Sequence, residues 1–295
     1  MKYKVISIIL LFFLTTSLVM AEDVFDFENN FDNWEEMTIK IRENEIIYDI
    51  TYKKIESENI TLDIYYPFFS IEEKYPVVIF IHGGGFIIGE KGDVNRFRTI
   101  LDSFLEEGWV VVSVNYRLLS RGVLFPENLE DVKSAVEWVF NNAEKYELNT
   151  DSIGLWGSSA GGNLALMTAL TYQRPIDFVI SFAGPTDLLN ENLGIQKKIT
   201  EFIIGKQVNN DLLRQASPLH YLDENIDLAP ILIIHGRNDM IVPYAQAEVF
   251  YDRVREITNE CKLISLNSGH TLSPAFHDGL REYEEDIINF IKKYF

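Results

Sequence analysis

The stretch Gly157-Ser158-Ser159-Ala160-Gly161 has the form G-x-S-x-G. A serine hydroxyl is a weak nucleophile near neutral pH. To react it needs a base, and the base needs a carboxylate to orient it. The small neighbours fit a sharp turn on which the nucleophile projects while two backbones pass closely. Ser159 is therefore the candidate nucleophile. Only His270 and His277, of five histidines, follow the last suitable acid. His270 ends Asn267-Ser268-Gly269-His270, a glycine-containing loop just past an apolar run, and is the candidate base. His277 lies about one turn from the start of a helical pattern and reads as surface or packing. The acid should come from His235-Gly236-Arg237-Asn238-Asp239-Met240-Ile241-Val242-Pro243, where Asp239 is the only carboxylate. Asp187 and Asp211 are weaker choices because they fall in a long interval between strands.

Acyl transfer through a serine builds negative charge on an oxygen, and fixed donors must meet it. His82-Gly83-Gly84-Gly85 closes an apolar run upstream. Glycines there let backbone N–H groups turn into a site, so Gly84, Gly85 and the N–H of Ala160 are the candidate oxyanion hole. His82 reads as a brace for this loop rather than a proton carrier. Phe86 and Trp156 flank the two motifs and are candidate walls of a substrate pocket, with ordinary packing the competing reading.

These residues need a scaffold that brings four loops to one edge. Ile46–Lys54 and Ile60–Tyr66 alternate and carry β-branched and aromatic residues, which predicts an antiparallel hairpin. Val77–Ile81, Val110–Val114, Ile153–Trp156, Phe178–Phe182, Ile231–Ile234 and Leu263–Leu266 are apolar without alternation. Strands of that kind are covered on both faces, as in a parallel sheet. Helical spacing falls between them, at Leu129 to Phe140, Ala160 to Tyr172, Tyr244 to Arg255 and Leu280 to Ile291. Strand–helix alternation predicts a doubly wound α/β sheet with Ser159 at its carboxyl edge, where such sheets bind ligands. Residues 185–229 separate two strands by far more than an ordinary connection. They predict a small insertion, either a lid and pocket wall or a surface excursion.

Hydrophobic residues make up 47% of the chain and charged residues 24%, the balance of a globular protein rather than a disordered one. Residues 1–21 carry Lys2 and Lys4, an apolar run from Val5 to Leu14, and small residues at Val19-Met20-Ala21. That is the pattern of a cleaved secretory signal, leaving 22–295 as one catalytic domain in a secreted or periplasmic protein. The apolar run is too short and too broken for a membrane anchor. A net charge of −19 disfavours nucleic acid and anionic membrane as partners. Cys261 is the single cysteine, so no internal disulfide can form. It opens a predicted strand and reads as buried packing.

Taken together the motifs resemble two branches of the α/β-hydrolase superfamily: the bacterial feruloyl/acetyl-esterase-like (BD-FAE-like) group and the hormone-sensitive-lipase type. The matching stretches include Leu62-Asp63-Ile64-Tyr65-Tyr66-Pro67, Ile81-His82-Gly83-Gly84-Gly85-Phe86 and Val114-Asn115-Tyr116-Arg117-Leu118. Others are Leu155-Trp156-Gly157-Ser158-Ser159-Ala160-Gly161-Gly162, Ile234-His235-Gly236-Arg237-Asn238-Asp239 and Gly269-His270. The resemblance spans roughly residues 60–295. It implies a mostly parallel eight-stranded sheet with helices on both faces and the insertion after the sixth strand. It also implies a serine carboxylesterase with Ser159, Asp239 and His270 as its triad. No cofactor and no metal would be needed, and the substrate would be a small or carbohydrate-borne ester. Arg117 and Asp131 match positions that look like a structural ion pair. Residues 22–45 are too short for the N-terminal helical cap usual in the lipase-type branch, which favours the BD-FAE-like one. Two rival readings are a serine peptidase or amidase of the same fold and a non-catalytic binding protein. The second is disfavoured because all three triad positions are filled.

Overall fold

Eight strands form one sheet, and six of them run as the apolar segments predict. The structure, a computed structural model, describes residues 40–41, 45–56, 58–67, 69–70, 73–119, 125–189, 210–271 and 280–294. The proposed signal, the central part of the insertion and His277 lie outside the described residues. The strands are β1 (Ile46–Ile55), β2 (Glu58–Tyr65), β3 (Tyr75–Ile81), β4 (Val110–Val114), β5 (Leu148–Ser158), β6 (Phe178–Phe182), β7 (Ile231–Gly236) and β8 (Cys261–Leu266). Their spatial order is β8-β7-β6-β5-β3-β4-β2-β1. From β8 to β4 every neighbour is parallel, with Ile79 opposite both Leu155 and Val112. β2 joins antiparallel to β4, and β1 folds back on β2 as the predicted hairpin. A separate two-residue pairing links Lys40–Ile41 to Phe69–Ser70.

Both faces of the sheet are covered, which is why β3, β4 and β6 are apolar at nearly every position. On one face lie α2 (Glu127–Tyr146), α3 (Ala160–Thr171) and α5 (Ala245–Ile257). α2 presents Leu129, Val132, Val136 and Val139 at helical spacing, with Glu127 and Glu130 in its first turn and Lys145 in its last, the order its dipole favours. α3 is buried continuously from Ala160 to Thr168, with Asn163 and Thr168 the only polar side chains in that stretch, so it is covered on all sides. The other face is packed by α1 (Arg98–Glu106) and α6 (Leu280–Tyr294), which supply Leu101, Phe104, Ile287, Phe290 and Ile291. The sequence reading does not anticipate α1. It is a single short helix with no side-chain cap, and its apolar set is four residues, Ile100, Leu101, Phe104 and Leu105.

The described part of the insertion holds α4 (Asn210–Gln215) and a 3₁₀ turn at Pro218–Tyr221. Leu213, Ala216 and Leu222 are buried in the core on the α3 side. This stretch is stitched to the loop after β6: Leu219 N–H donates to Thr186 O at 2.9 Å, and Leu188 N–H to Ser217 Oγ at 2.8 Å.

Candidate active site

Ser159 stands between the end of β5 and the start of α3. Its backbone has φ 53° and ψ −118°, outside the regions ordinary residues occupy. Two hydrogen bonds hold it there. Its N–H donates to Phe182 O at 2.6 Å, and its carbonyl accepts from Asn163 N–H at 3.1 Å. The turn also needs α3 to cross close to β3. A Cβ on Gly161 would stand 2.0 Å from Ile81 O and 2.5 Å from His82 O.

The other two predicted residues converge on this serine. His270, on the loop after β8, brings Nε2 to 2.9 Å from Ser159 Oγ. Its Nδ1 lies 2.7 Å from Asp239 Oδ2, on the loop after β7. The two loops are locked together. Arg237 N–H donates to Leu266 O at 2.8 Å and Asn238 N–H to Ser268 O at 3.0 Å. Gly236 makes that approach possible, since a Cβ there would meet Ser268 O at 2.4 Å. Asp239 is buried, and burial alone would raise its pKa. Hydrogen bonds from His235, His270 and the N–H of Val242 outweigh burial and hold the carboxyl well below the usual carboxylate range. Asp239 therefore faces His270 as an anion.

The loop after β3 lies against the same serine. A Cβ on Gly83 would come 3.4 Å from Ser159 Cβ and 2.9 Å from Ser158 O, so this glycine is the close approach that lets the two loops meet. Gly84, Gly85 and Phe86 then follow with φ of 107°, 61° and 62°. The turn is closed by Ile87 and Ile88 N–H groups donating to Gly84 O, both at 3.1 Å. Among the described residues no acceptor meets the N–H groups of Gly84 and Gly85. Ala160 is the first residue of α3, where the N–H has no partner within the helix. Such groups are free to bind an anion.

His82 is buried beneath this loop. Its Nδ1 donates to Gly83 O at 2.8 Å, and its ring stacks on Tyr116 at 4.3 Å, whose hydroxyl donates to His82 O at 2.9 Å. Burial lowers its pKa to about 4. Arg117 and Asp131 form the ion pair the resemblance implies, at 2.7 Å, and Lys53 reaches the other carboxylate oxygen at 2.7 Å. This anchors the strand of chain whose Leu119 N–H donates to Phe86 O at 2.8 Å.

Two expected pocket residues are corrected. Trp156 is 0% exposed and packs against Phe80, Phe97, Phe104 and Phe182 on the α1 side of the sheet. Strand alternation carries it away from Leu155 and Gly157, so it is core and not a pocket wall. Phe86 is 4% exposed and belongs to the core on the other face, so its side chain supports the loop from beneath rather than lining a cleft. Asp187 is buried and pairs with His220 at 3.3 Å, while Asp239 is the carboxylate that meets His270. Cys261 is buried and free, and burial pushes its thiol up to about 12. The sequence reading missed His235, whose Nε2 lies 3.2 Å from Asp239 Oδ2. Its spacing of four from Asp239 across the end of β7 is the signal that marks it. Among the described residues no three carboxylates, histidines or cysteines converge to hold a metal ion.

The sheet order, the helices on both faces and a serine on a strand-to-helix elbow define an α/β-hydrolase. The comparisons with known proteins narrow this. Residues 62–254 match the BD-FAE family model, and the chain belongs to that family. It is similar to the "Probable carboxylic ester hydrolase LipM" of Mycobacterium tuberculosis (strain ATCC 25618 / H37Rv), 29% identical over 72% of this chain and 52% of that protein. The chain spans about half the length of the curated relatives it matches. Among solved structures it is similar to a truncated carbohydrate esterase from gut microbiota, with a TM-score of 0.74 and 25% identity, covering 86% of this chain and 98% of that one. It is also similar to a bifunctional GH43-CE protein from Bacteroides eggerthii, with a TM-score of 0.73 and 28% identity, covering 86% of this chain and 38% of that one.

Proposed function

We propose that the chain is a serine carboxylic-ester hydrolase that works through an acyl-enzyme. The observation that carries this reading is the continuous relay from Ser159 Oγ to His270 to an ionised Asp239, at 2.9 and 2.7 Å. His270 Nε2 takes the hydroxyl proton as Ser159 Oγ bonds to the ester carbonyl carbon. The carbonyl oxygen becomes an oxyanion, met by the N–H groups of Gly84, Gly85 and Ala160. The C–O bond to the alcohol then breaks, and the alcohol leaves with the proton from His270. Water enters, gives a proton to His270 and attacks the acyl carbon; Ser159 recovers its proton as the acid departs. Asp239 keeps the imidazole in the tautomer that presents Nε2 to the serine and stabilises the imidazolium.

The substrates we propose are small acyl esters and acetyl or feruloyl esters of carbohydrates. Support comes from the BD-FAE family and from the likeness to a carbohydrate esterase and to a GH43-CE protein. Residues 185–229 serve as a wall or lid over the site in this reading. The pattern of residues 1–21 supports export with cleavage near Ala21. Among the described residues no helix is long and apolar enough to cross a membrane.

The test is turnover of aryl esters of increasing acyl length, acetylated xylan, methyl ferulate and an aminoacyl amide by the purified protein. Short aryl esters and one of the carbohydrate or ferulate esters should be cleaved and the amide left intact. Ser159→Ala should abolish turnover. Wild-type rates in that variant would remove Ser159 from the mechanism, and preferred cleavage of the amide would make the chain a peptidase.

A further inference from the structure

Asp239 Oδ2 is shared by two histidines. His270 Nδ1 lies 2.7 Å from it and His235 Nε2 lies 3.2 Å from it. Oδ1 is occupied separately, accepting the N–H groups of Ile241 and Val242 at 2.8 Å each. His235 is wholly buried near the end of β7, with its ring edge-on to Tyr244 at 5.9 Å. Its Nε2 also lies 2.7 Å from Val242 O.

Both neighbours of that nitrogen, a carbonyl and an ionised carboxylate, are acceptors only. Nε2 must therefore carry a hydrogen, which it donates to Val242 O while standing 3.2 Å from Asp239 Oδ2. The other ring nitrogen, Nδ1, is buried and has no hydrogen-bond partner among the described residues. A hydrogen there would be left unsatisfied away from water. The ring is thus fixed as the Nε2–H tautomer by its surroundings.

We propose that His235 is a positioning residue for catalysis, acting through Asp239. The inference rests on Ser159, His270 and Asp239 being the triad. A carboxylate with one side-chain partner can turn about its terminal torsion and change which oxygen faces the imidazole. Ile241 and Val242 on Oδ1 and His270 on Oδ2 oppose that turn, and His235 adds a further N–H beside Oδ2. His235 also draws electron density from Oδ2, which disfavours transfer of the Nδ1 proton from His270 to Asp239. His235 has no surface for substrate to touch. Its effect falls on the step in which His270 gains charge, so it belongs to kcat rather than KM.

Two substitutions separate a donor from a filler. His235→Leu fills the space and removes the N–H. His235→Gln keeps an amide N–H near the position of Nε2. On a short-chain aryl ester, His235→Leu should lower kcat about 10- to 100-fold with KM within about twofold, as loss of an orienting partner commonly does. His235→Gln should recover most of that loss. Folded His235→Leu protein with wild-type kcat, or a Gln variant no better than Leu, overturns the proposal. A second measurement does not depend on any variant folding. Nitrogen-15 NMR of the wild-type chain should show hydrogen on Nε2 of His235 and a bare Nδ1. Hydrogen on Nδ1 overturns it. The spectrum needs no turnover, so a protein inert to every ester would refute the esterase reading while the tautomer of His235 is still decided.

Discussion

Replacing Gly161 by alanine tests whether the nucleophile's elbow and the loop after β3 form one rigid unit. The added Cβ would lie 2.0 Å from Ile81 O, 2.5 Å from His82 O and 2.6 Å from the carbonyl carbon of Ile81. Carbon and oxygen atoms in ordinary contact sit more than about 3 Å apart. Each of these neighbours is backbone, at the end of a central strand, so no side chain can swing aside. α3 must therefore move by about 1 Å or more relative to β3. Overpacking of this kind costs about 3 kcal/mol, which for a chain of this size lowers Tm by roughly 5 °C. The same shift separates the N–H of Ala160 from those of Gly84 and Gly85. A misplacement of about 1 Å in a catalytic array costs about 100-fold in rate. The assay pairs thermal unfolding with kcat on a short-chain aryl ester. Gly162→Ala is the milder control, because its nearest contacts are Ser181 Oγ at 2.8 Å and Gly184 Cα at 3.1 Å. A Gly161→Ala protein with wild-type Tm and kcat would refute the rigid-unit argument.

Asp131 is fully buried between Arg117 and Lys53, so Asp131→Asn should cost roughly 3 kcal/mol by leaving two cations short of their partner; chemical denaturation reads this directly. His82 falls from 6.5 to about 4 on burial, so the unfolded chain binds the proton more readily within that window. Its contribution is complete above the unfolded value and is lost as pH falls, by roughly 3 kcal/mol between about pH 7 and pH 4. Asp239 has a lowered pKa and adds to the loss only below the ordinary carboxylate range. Urea midpoints across this range should fall in the wild type and fall less in His82→Gln. The buried thiol of Cys261, raised to about 12, should resist a thiol reagent in the native state and react promptly once urea unfolds the chain.

The sheet is legible because its strands carry their environment in their side chains. Val77–Ile81 and Val110–Val114 are apolar at every position but Ser113, and both lie between neighbours on the two sides of the sheet. β5 is longer than its apolar core suggests. It begins at Leu148 and passes through Asn149-Thr150-Asp151-Ser152, polar residues that read as a loop but continue the strand towards the pairing of Leu148 with Tyr75. The meeting of Ser159, Asp239 and His270 is legible from their order, since a doubly wound sheet puts the loops that end its parallel strands at one edge. The wall residues are not. Trp156 and Phe86 adjoin the right motifs, yet a sheet buried on both faces gives an apolar side chain two equally apolar places to go. His235 is hidden for a related reason. A histidine inside an apolar strand looks like packing until the turn after it brings Asp239 back four residues later.

Asn163 connects the helix that follows Ser159 to the start of the insertion and to its described middle. Its buried side-chain amide donates to Pro185 O at 2.9 Å and to Ala216 O at 3.0 Å. One residue on α3, a turn from Ser159, thus holds the point where the chain leaves the sheet and a second point within the insertion, ahead of the 3₁₀ turn at Pro218–Tyr221. Whatever length or composition the chain takes between those points, its two ends remain fixed against the helix that sets the serine. A change of sequence at residues 190–209 leaves both anchors in place, because the two bonds that fix them are made from α3 itself.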